Sequence, residues 1–165
     1  MKIRPIQPKD HSAILEVASA LSDWFDADAR NRAIPTDLRH QQGFVALEEE
    51  RVCGFITFYV AEGRLLISWL GVRPEDQRRG IGARLLGYAE EFGRAHGLEE
   101  IGTYTLGDSV DYEPYEATRR FYARQGFGVY QRSKTDNPGC PEEIRLKKAI
   151  SQPGAAANAL RASLS

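Results

Sequence analysis

The sequence predicts an α/β (α+β) domain whose central sheet is mixed and mostly antiparallel. Three observations carry this. Residues 43–47, 52–60 and 65–72 are strand-patterned and joined by turn-length connections, which makes an antiparallel meander. After the third segment Ile81, Leu85, Ala89 and Phe92 recur at helical spacing, and residues 98–106 follow as a strand. A strand reached through a helical crossover runs parallel to the one it left. Residues 128–133 and 142–147, either side of Asn137-Pro138-Gly139, close the sheet as a last hairpin.

The elements follow in order. Residues 2–7 form a short first strand. Pro8 suits the first turn of a helix over 8–21, with Ile14, Val17, Ala18 and Leu21 facing inward. Residues 22–32 form a loop that carries Trp24 and Phe25 among charges, and Pro35 opens a short helix to about His40. The first hairpin turns across Glu48, Glu49, Glu50 and Arg51, and Gly63 separates the second and third meander strands. Pro74 forbids continuation of the strand 65–72, and Gly97 caps the crossover helix. A further helix begins near Tyr115, with Ala117, Phe121 and Arg124 on one side and Tyr115, Thr118, Tyr122 and Gln125 on the neighbouring side, and Gly126 stops it. These elements form a single domain over residues 1–149. Residues 150–165, rich in Ala and Ser without apolar periodicity, form a disordered tail.

Composition narrows the function classes. The chain has 165 residues, 42% of them hydrophobic, enough for one filled core and too few for two ordinary domains. Lys and Arg number 22 against 23 Asp and Glu, a net charge of −1 that argues against a nucleic-acid partner. No run of 18 apolar residues exists, and Met1-Lys2-Ile3-Arg4 leads into a strand rather than a signal-peptide core, so no membrane partner and a cytoplasmic location are expected. Cys53 and Cys140 lack metal-ligand spacing, so two free thiols and no metal are expected.

Gln77-Arg78-Arg79-Gly80-Ile81-Gly82 lies between the strand 65–72 and the crossover helix. The first amides of a helix lack intrahelical partners and favour an anion. Gly80 and Gly82 allow close approach of backbone to a pyrophosphate, and Arg73, Arg78, Arg79 and Arg84 cluster about the turn. Neither the Walker nor the Rossmann glycine string is present, so the loop implies a phosphorylated cofactor of another kind.

The spacing Gln-x-x-Gly-x-Gly resembles the acyl-CoA motif of the GNAT-type N-acetyltransferase superfamily. Residues 115–127, Tyr-Glu-Ala-Thr-Arg-Arg-Phe-Tyr-Ala-Arg-Gln-Gly-Phe, resemble that superfamily's second signature, a helix carrying Phe-Tyr closed by Gly-Phe. The element order matches from about residue 2 to residue 148. The resemblance implies a sheet splayed between two strands, helices on both faces, and acetyl-CoA as cosubstrate with its pantetheine arm in the gap. Main-chain groups of Leu70 and Val72 would bind the pantetheine, and Gln77, Arg78, Arg79, Gly80, Ile81, Gly82, Ala83 and Arg84 would form the pyrophosphate loop, chiefly through the amides of 79–84. Tyr122 aligns with the tyrosine placed next to the CoA sulfur and is the candidate general acid, and the Leu70 amide is the candidate oxyanion donor.

Two departures stand out. Tyr115 and Thr118 replace the Asn and Ala that many members carry in the second signature. Leu65, Leu66, Ile67, Ser68 and Trp69 include no Glu to serve as base, which leaves a water relayed by Ser68 or the carboxylate of Glu113. Asp108, Asp111, Glu113 and Glu116 form an acidic loop suited to a cationic amine, and Trp24, Phe25 and Trp69 could add an aromatic wall. The expected activity is acetyl transfer to a primary amine of a small molecule or peptide, by a monomer or homodimer. The missing Glu leaves open a second reading, a non-catalytic acyl-CoA-binding sensor.

Overall fold

The computed structural model describes residues 1–151. Strand β1 spans Lys2–Pro5, and a 3-10 turn at Pro8–Asp10 leads into helix α1, His11–Ser19. The single helix expected over 8–21 thus starts tighter and ends sooner. Asp10 accounts for the start, since its carboxylate accepts the Gln7 N–H at 2.7 Å and Arg4 Nη1 and Nη2 at 2.7 and 2.9 Å. The loop expected over 22–32 ends in a wide helical turn at Ala29–Ala33, which runs on into α2, Ile34–Asp37. Next come β2, Gln42–Glu48, β3, Arg51–Ala61, and β4, Arg64–Val72. Helix α3, Ile81–Ala95, is followed by β5, Glu100–Leu106, and α4, Glu113–Arg124, by β6, Gly128–Lys134, and β7, Glu142–Ala149.

Among the described residues seven strands lie in the order β1-β2-β3-β4-β5-β7-β6, and only β4 and β5 are parallel. Alternation along β3 sends Ile56 and Phe58 to one face, under α3 and α4, while Phe55 faces α1 and α2 with Val45, Leu47 and Val52. Helices therefore cover both faces. Both α3 and α4 end on a left-handed glycine that closes a Schellman turn: Leu98 N–H reaches Gly93 O at 2.9 Å across Gly97, and Phe127 N–H reaches Tyr122 O at 3.0 Å across Gly126. Ile150, assigned to the tail from sequence, belongs to the core. It is buried, and its N–H donates to Glu99 O at 2.8 Å. The rest of the expected tail, from residue 152, lies outside the described residues.

The parallel joint between β4 and β5 is short. It holds only Arg64 with Glu100, Leu65 with Ile101 and Leu66 with Gly102. Beyond it β5 pairs with β7 along its whole length, whereas the β5-facing side of β4 has no strand. A bulge contributes to this divergence, because Ser68 is extra between the pairs Thr57–Trp69 and Phe58–Ile67 and bends β4 where the two strands separate. The result is a V-shaped gap. Gly71 sets how closely the end of β4 can pack on α1, since a Cβ there would lie 2.8 Å from Leu21 Cδ1 and 3.0 Å from Phe55 Cε1. Gly71→Ala is expected to cost ~1–3 kcal/mol of stability by overpacking, measurable by urea denaturation, and to weaken cofactor binding through displacement of Leu70 and Val72.

Candidate active site

The wall of the gap is the free edge of β4. Arg73 N–H donates to Cys53 O at 2.8 Å, so antiparallel alternation turns the main-chain groups of Val72 and Leu70 away from β3 and into the gap. Gln77 donates its side-chain amide to Val72 O at 3.1 Å. It fixes the end of the strand to the loop that follows.

That loop turns through left-handed residues at Arg78, φ 62°, and Gly80, φ 77°. Among the described residues no main-chain N–H from Arg78 through Ala83 donates a hydrogen bond, and the first to do so is Arg84, to Gly80 O at 3.1 Å. Six consecutive free amides at the start of a fifteen-residue helix make an anion cradle. The four arginines divide. Arg78 and Arg84 are exposed and make no ion pair among the described residues. Arg73 turns inward to Val52 O at 2.8 Å. Arg79 differs from the sequence expectation of a free cationic donor. Its guanidinium is bound to Glu48 and to Asp76, the latter at 2.9 Å, which leaves its main-chain N–H for a ligand.

Tyr122 lies at the apex of the gap. It is 5% exposed, packed edge-on against Phe121 and Phe127 with ring centroids 5.2 Å away in each case. Burial pushes its hydroxyl up to about 12, against a smaller opposing effect of a hydrogen bond with Thr103. Thr103 is the first β5 residue past the last parallel pair, and its hydroxyl is 3.5 Å from Ile67 O on β4. The phenol thus stands where the two strands part.

The other side of the gap is walled by the loop between α1 and α2. Tyr112 Oη donates to Asp23 O at 2.7 Å, Trp24 Nε1 donates to Pro114 O at 3.0 Å, and the Tyr115 hydroxyl donates to Trp24 O. Tyr115 is therefore a brace between loop and α4, with its hydroxyl raised to about 12 by burial. Phe25 meets Trp69 edge to face at 5.5 Å, and Trp69 Nε1 donates to Asp37 Oδ2 at 2.7 Å. Of the three aromatics that the sequence offered for a wall, Phe25 and Trp69 meet while Trp24 turns to Pro114, and sequence reasoning missed Asp37, which Trp69 brings beside the β4 bulge. Tyr104, on β5 next to Thr103, is 55% exposed and within electrostatic reach of Asp37 and Glu143.

Of the acidic loop, Asp108 pairs with Arg132 and Glu116 with Arg120, both at 2.6 Å. Asp111 and Glu113 remain exposed and unpaired among the described residues. Ser68 is half-buried at the bulge. Glu48, Cys53 and Asp76 present ligand atoms within 4.8 Å of one another, but Arg51 and Arg79 already hold the two carboxylates. Cys53 is buried and Cys140 half-buried, both as free thiols. No described helix is long and apolar enough to cross a membrane.

A strand-loop-helix anion cradle beside a splayed parallel pair defines the acyl-CoA-dependent acetyltransferase class, and the comparisons agree. The model of the acetyltransferase (GNAT) family matches residues 11–127. A GNAT-family acetyltransferase structure from Desulfovibrio desulfuricans is 23% identical, with a TM-score of 0.78 over 91% of this chain and 99% of that one. An aminoglycoside 6'-N-acetyltransferase complexed with coenzyme A is 16% identical, with a TM-score of 0.71 over 93% and 99% of the two chains. The ribosomal-protein-S18-alanine N-acetyltransferase from Escherichia coli is 15% identical, with a TM-score of 0.67 over 93% and 96%. No curated protein sequence matches the chain. The chain belongs to the GNAT acetyltransferase family.

Proposed function

We propose that the chain moves an acetyl group from acetyl-CoA to a primary amine of a small molecule or peptide, by direct transfer with both substrates bound. The observation that carries this is the continuity of free donors: the exposed edge of β4 at Leu70 and Val72 runs into the six free amides of 78–83. A pyrophosphate fits the cradle, and an extended amide-bearing arm fits the free edge as an added strand. The bound thioester supplies an activated acyl group. Every other role falls to the chain. Leu70 N–H faces the gap and can meet negative charge developing on the carbonyl oxygen. Tyr122 Oη, fully protonated at neutral pH, donates toward the departing sulfur.

An attacking amine must be neutral, so its ammonium form has to lose a proton on the acceptor side. Asp37, fixed by Trp69, offers the carboxylate beside the β4 bulge, with Asp111 and Glu113 at the rim. These charges suit a cationic acceptor. The test is a panel of polyamines, aminoglycosides, lysine derivatives and peptides incubated with purified protein and acetyl-CoA, with free thiol measured. Turnover of cationic amines, with a Michaelis constant that rises several-fold in 0.5 M salt, is the expected result. Binding of coenzyme A without turnover on any amine would replace this reading with that of an acyl-CoA sensor.

A further inference from the structure

We infer that Arg79 is a positioning residue, whose guanidinium ties the phosphate loop to the β2–β3 hairpin and so keeps the amides of 78–83 directed outward. This rests on the reading of that loop as a pyrophosphate site. Arg78 and Arg79 are neighbours of the same chemistry, yet the fold treats them differently. Arg78 is exposed and unpaired among the described residues, while Arg79 Nη1 donates to Asp76 at 2.9 Å and to Glu48 Oε2 at 3.1 Å, and its Nη2 meets the other Glu48 oxygen. Two nitrogens on two oxygens of Glu48 form a planar fork, a geometry that Arg makes and Lys does not.

The partners are themselves fixed. The Asp76 side chain is only 4% exposed, and Arg51 also holds it, donating at 3.2 Å to Oδ1, the oxygen that Arg79 meets, and lying 2.9 Å from Oδ2 as an ion pair. Arg51 stands opposite Glu48 in register, across a turn whose two residues, Glu49 and Glu50, are both left-handed at φ 47° and 64°. Glu48, Arg79, Asp76 and Arg51 therefore form a chain of alternating charge that joins hairpin and loop, its two ends being strand partners. On the loop side Arg79 is flanked by Gly80, which adopts its left-handed conformation freely, and by left-handed Arg78, a conformation that a non-glycine residue keeps only where the surroundings hold it. The chain of charges has a second effect. Two carboxylates next to an anion site would repel a pyrophosphate, and the two guanidiniums neutralise them.

The alternative is that Arg79 leaves Glu48 and swings onto the incoming phosphate, with Glu48 as competitor. The two readings give opposite signs for Glu48→Gln. Glu48 is 29% exposed, so this variant is expected to fold, whereas loss of the buried Asp76 would leave Arg51 and Arg79 without their shared partner. The experiment measures coenzyme A affinity by calorimetry, and activity with acetyl-CoA and with S-acetylpantetheine, which lacks the pyrophosphate. With a tether, Glu48→Gln and Arg79→Lys each weaken coenzyme A binding about tenfold, because the amides lose their register. In Glu48→Gln the efficiency with S-acetylpantetheine stays at the parent value. Unchanged or tighter coenzyme A binding in Glu48→Gln overturns the tether, as does an equal loss with both acyl donors, which would mark a purely structural role. A parent that favours acetyl-CoA no more than S-acetylpantetheine overturns the pyrophosphate site itself.

Discussion

Tyr122→Phe is expected to lower turnover by ~10²-fold, the usual scale for a positioned acid, while coenzyme A affinity stays at the parent value. The ring contacts with Phe121 and Phe127 survive the change, and only the hydroxyl is lost. Its chemistry is constrained by burial. Burial holds the phenol above its ordinary range, which favours a protonated donor over complete proton transfer to a thiolate. On the proposed mechanism Tyr122 would act by hydrogen bonding to the sulfur as charge develops there, and the proton the thiol finally carries would originate on the amine. The sign with pH follows. A donor with its pKa raised to about 12 stays protonated through the neutral and mildly alkaline range, so the rate rises with pH as the amine deprotonates, with no falling limb from Tyr122 in that range. Stopped-flow measurement of thiol release over pH 6–10 checks both points. A Phe variant with parent turnover would reassign Tyr122 to packing.

Gly82→Asp is expected to abolish coenzyme A binding without unfolding the protein. A Cβ at Gly82 would meet the Phe121 ring at 3.5 Å and Val72 Cγ2 at 3.9 Å, ordinary contact distances, so the position accepts a side chain. A carboxylate in the first turn of α3 also complements the helix dipole, which favours folding. The same negative charge, carried by a residue within the run of free amides, repels a pyrophosphate there. Losing two charge-assisted hydrogen bonds at ~1.5–3 kcal/mol each weakens binding on the order of a hundredfold or more. Calorimetry with the folded variant, beside a Gly82→Ala control that retains most affinity, reads the effect. Parent affinity in Gly82→Asp would place the pyrophosphate elsewhere.

What the sequence makes legible is what local chemistry decides. The glycine loop announces itself because Gly80 must be left-handed and because α3 shows its period from Ile81 onward. The Phe-Tyr helix and the first and last hairpins are legible for the same reason. Partner choice across the fold is not. Arg79 looks identical to Arg78 until the β2–β3 hairpin delivers Glu48 from 31 positions away. Asp37 has no signal at all, since Trp69 lies 32 residues from it and only the packing of α2 over β4 joins them. Tyr112 and Tyr115 likewise acquire their bracing role from Asp23 and Trp24, which approach only in the folded chain. The sequence also shows β6 and β7 as a hairpin without showing that β7, rather than β6, docks on β5.

The short joint between β4 and β5 leaves the sheet unfinished, and this couples ligand occupancy to folding. Three residue pairs connect the β1–β4 half of the sheet to the β5–β7 half. A molecule that bonds to Leu70 and Val72 completes the edge, and it has no such edge to bind in the unfolded chain. At a concentration a hundred times its dissociation constant it adds ~2.7 kcal/mol to stability, a large share of the ~5–15 kcal/mol typical of a domain. Scarcity of the acyl donor would then do more than idle the enzyme: it would raise the fraction of chains open to proteolysis, so that the amount of protein follows the supply of its own substrate.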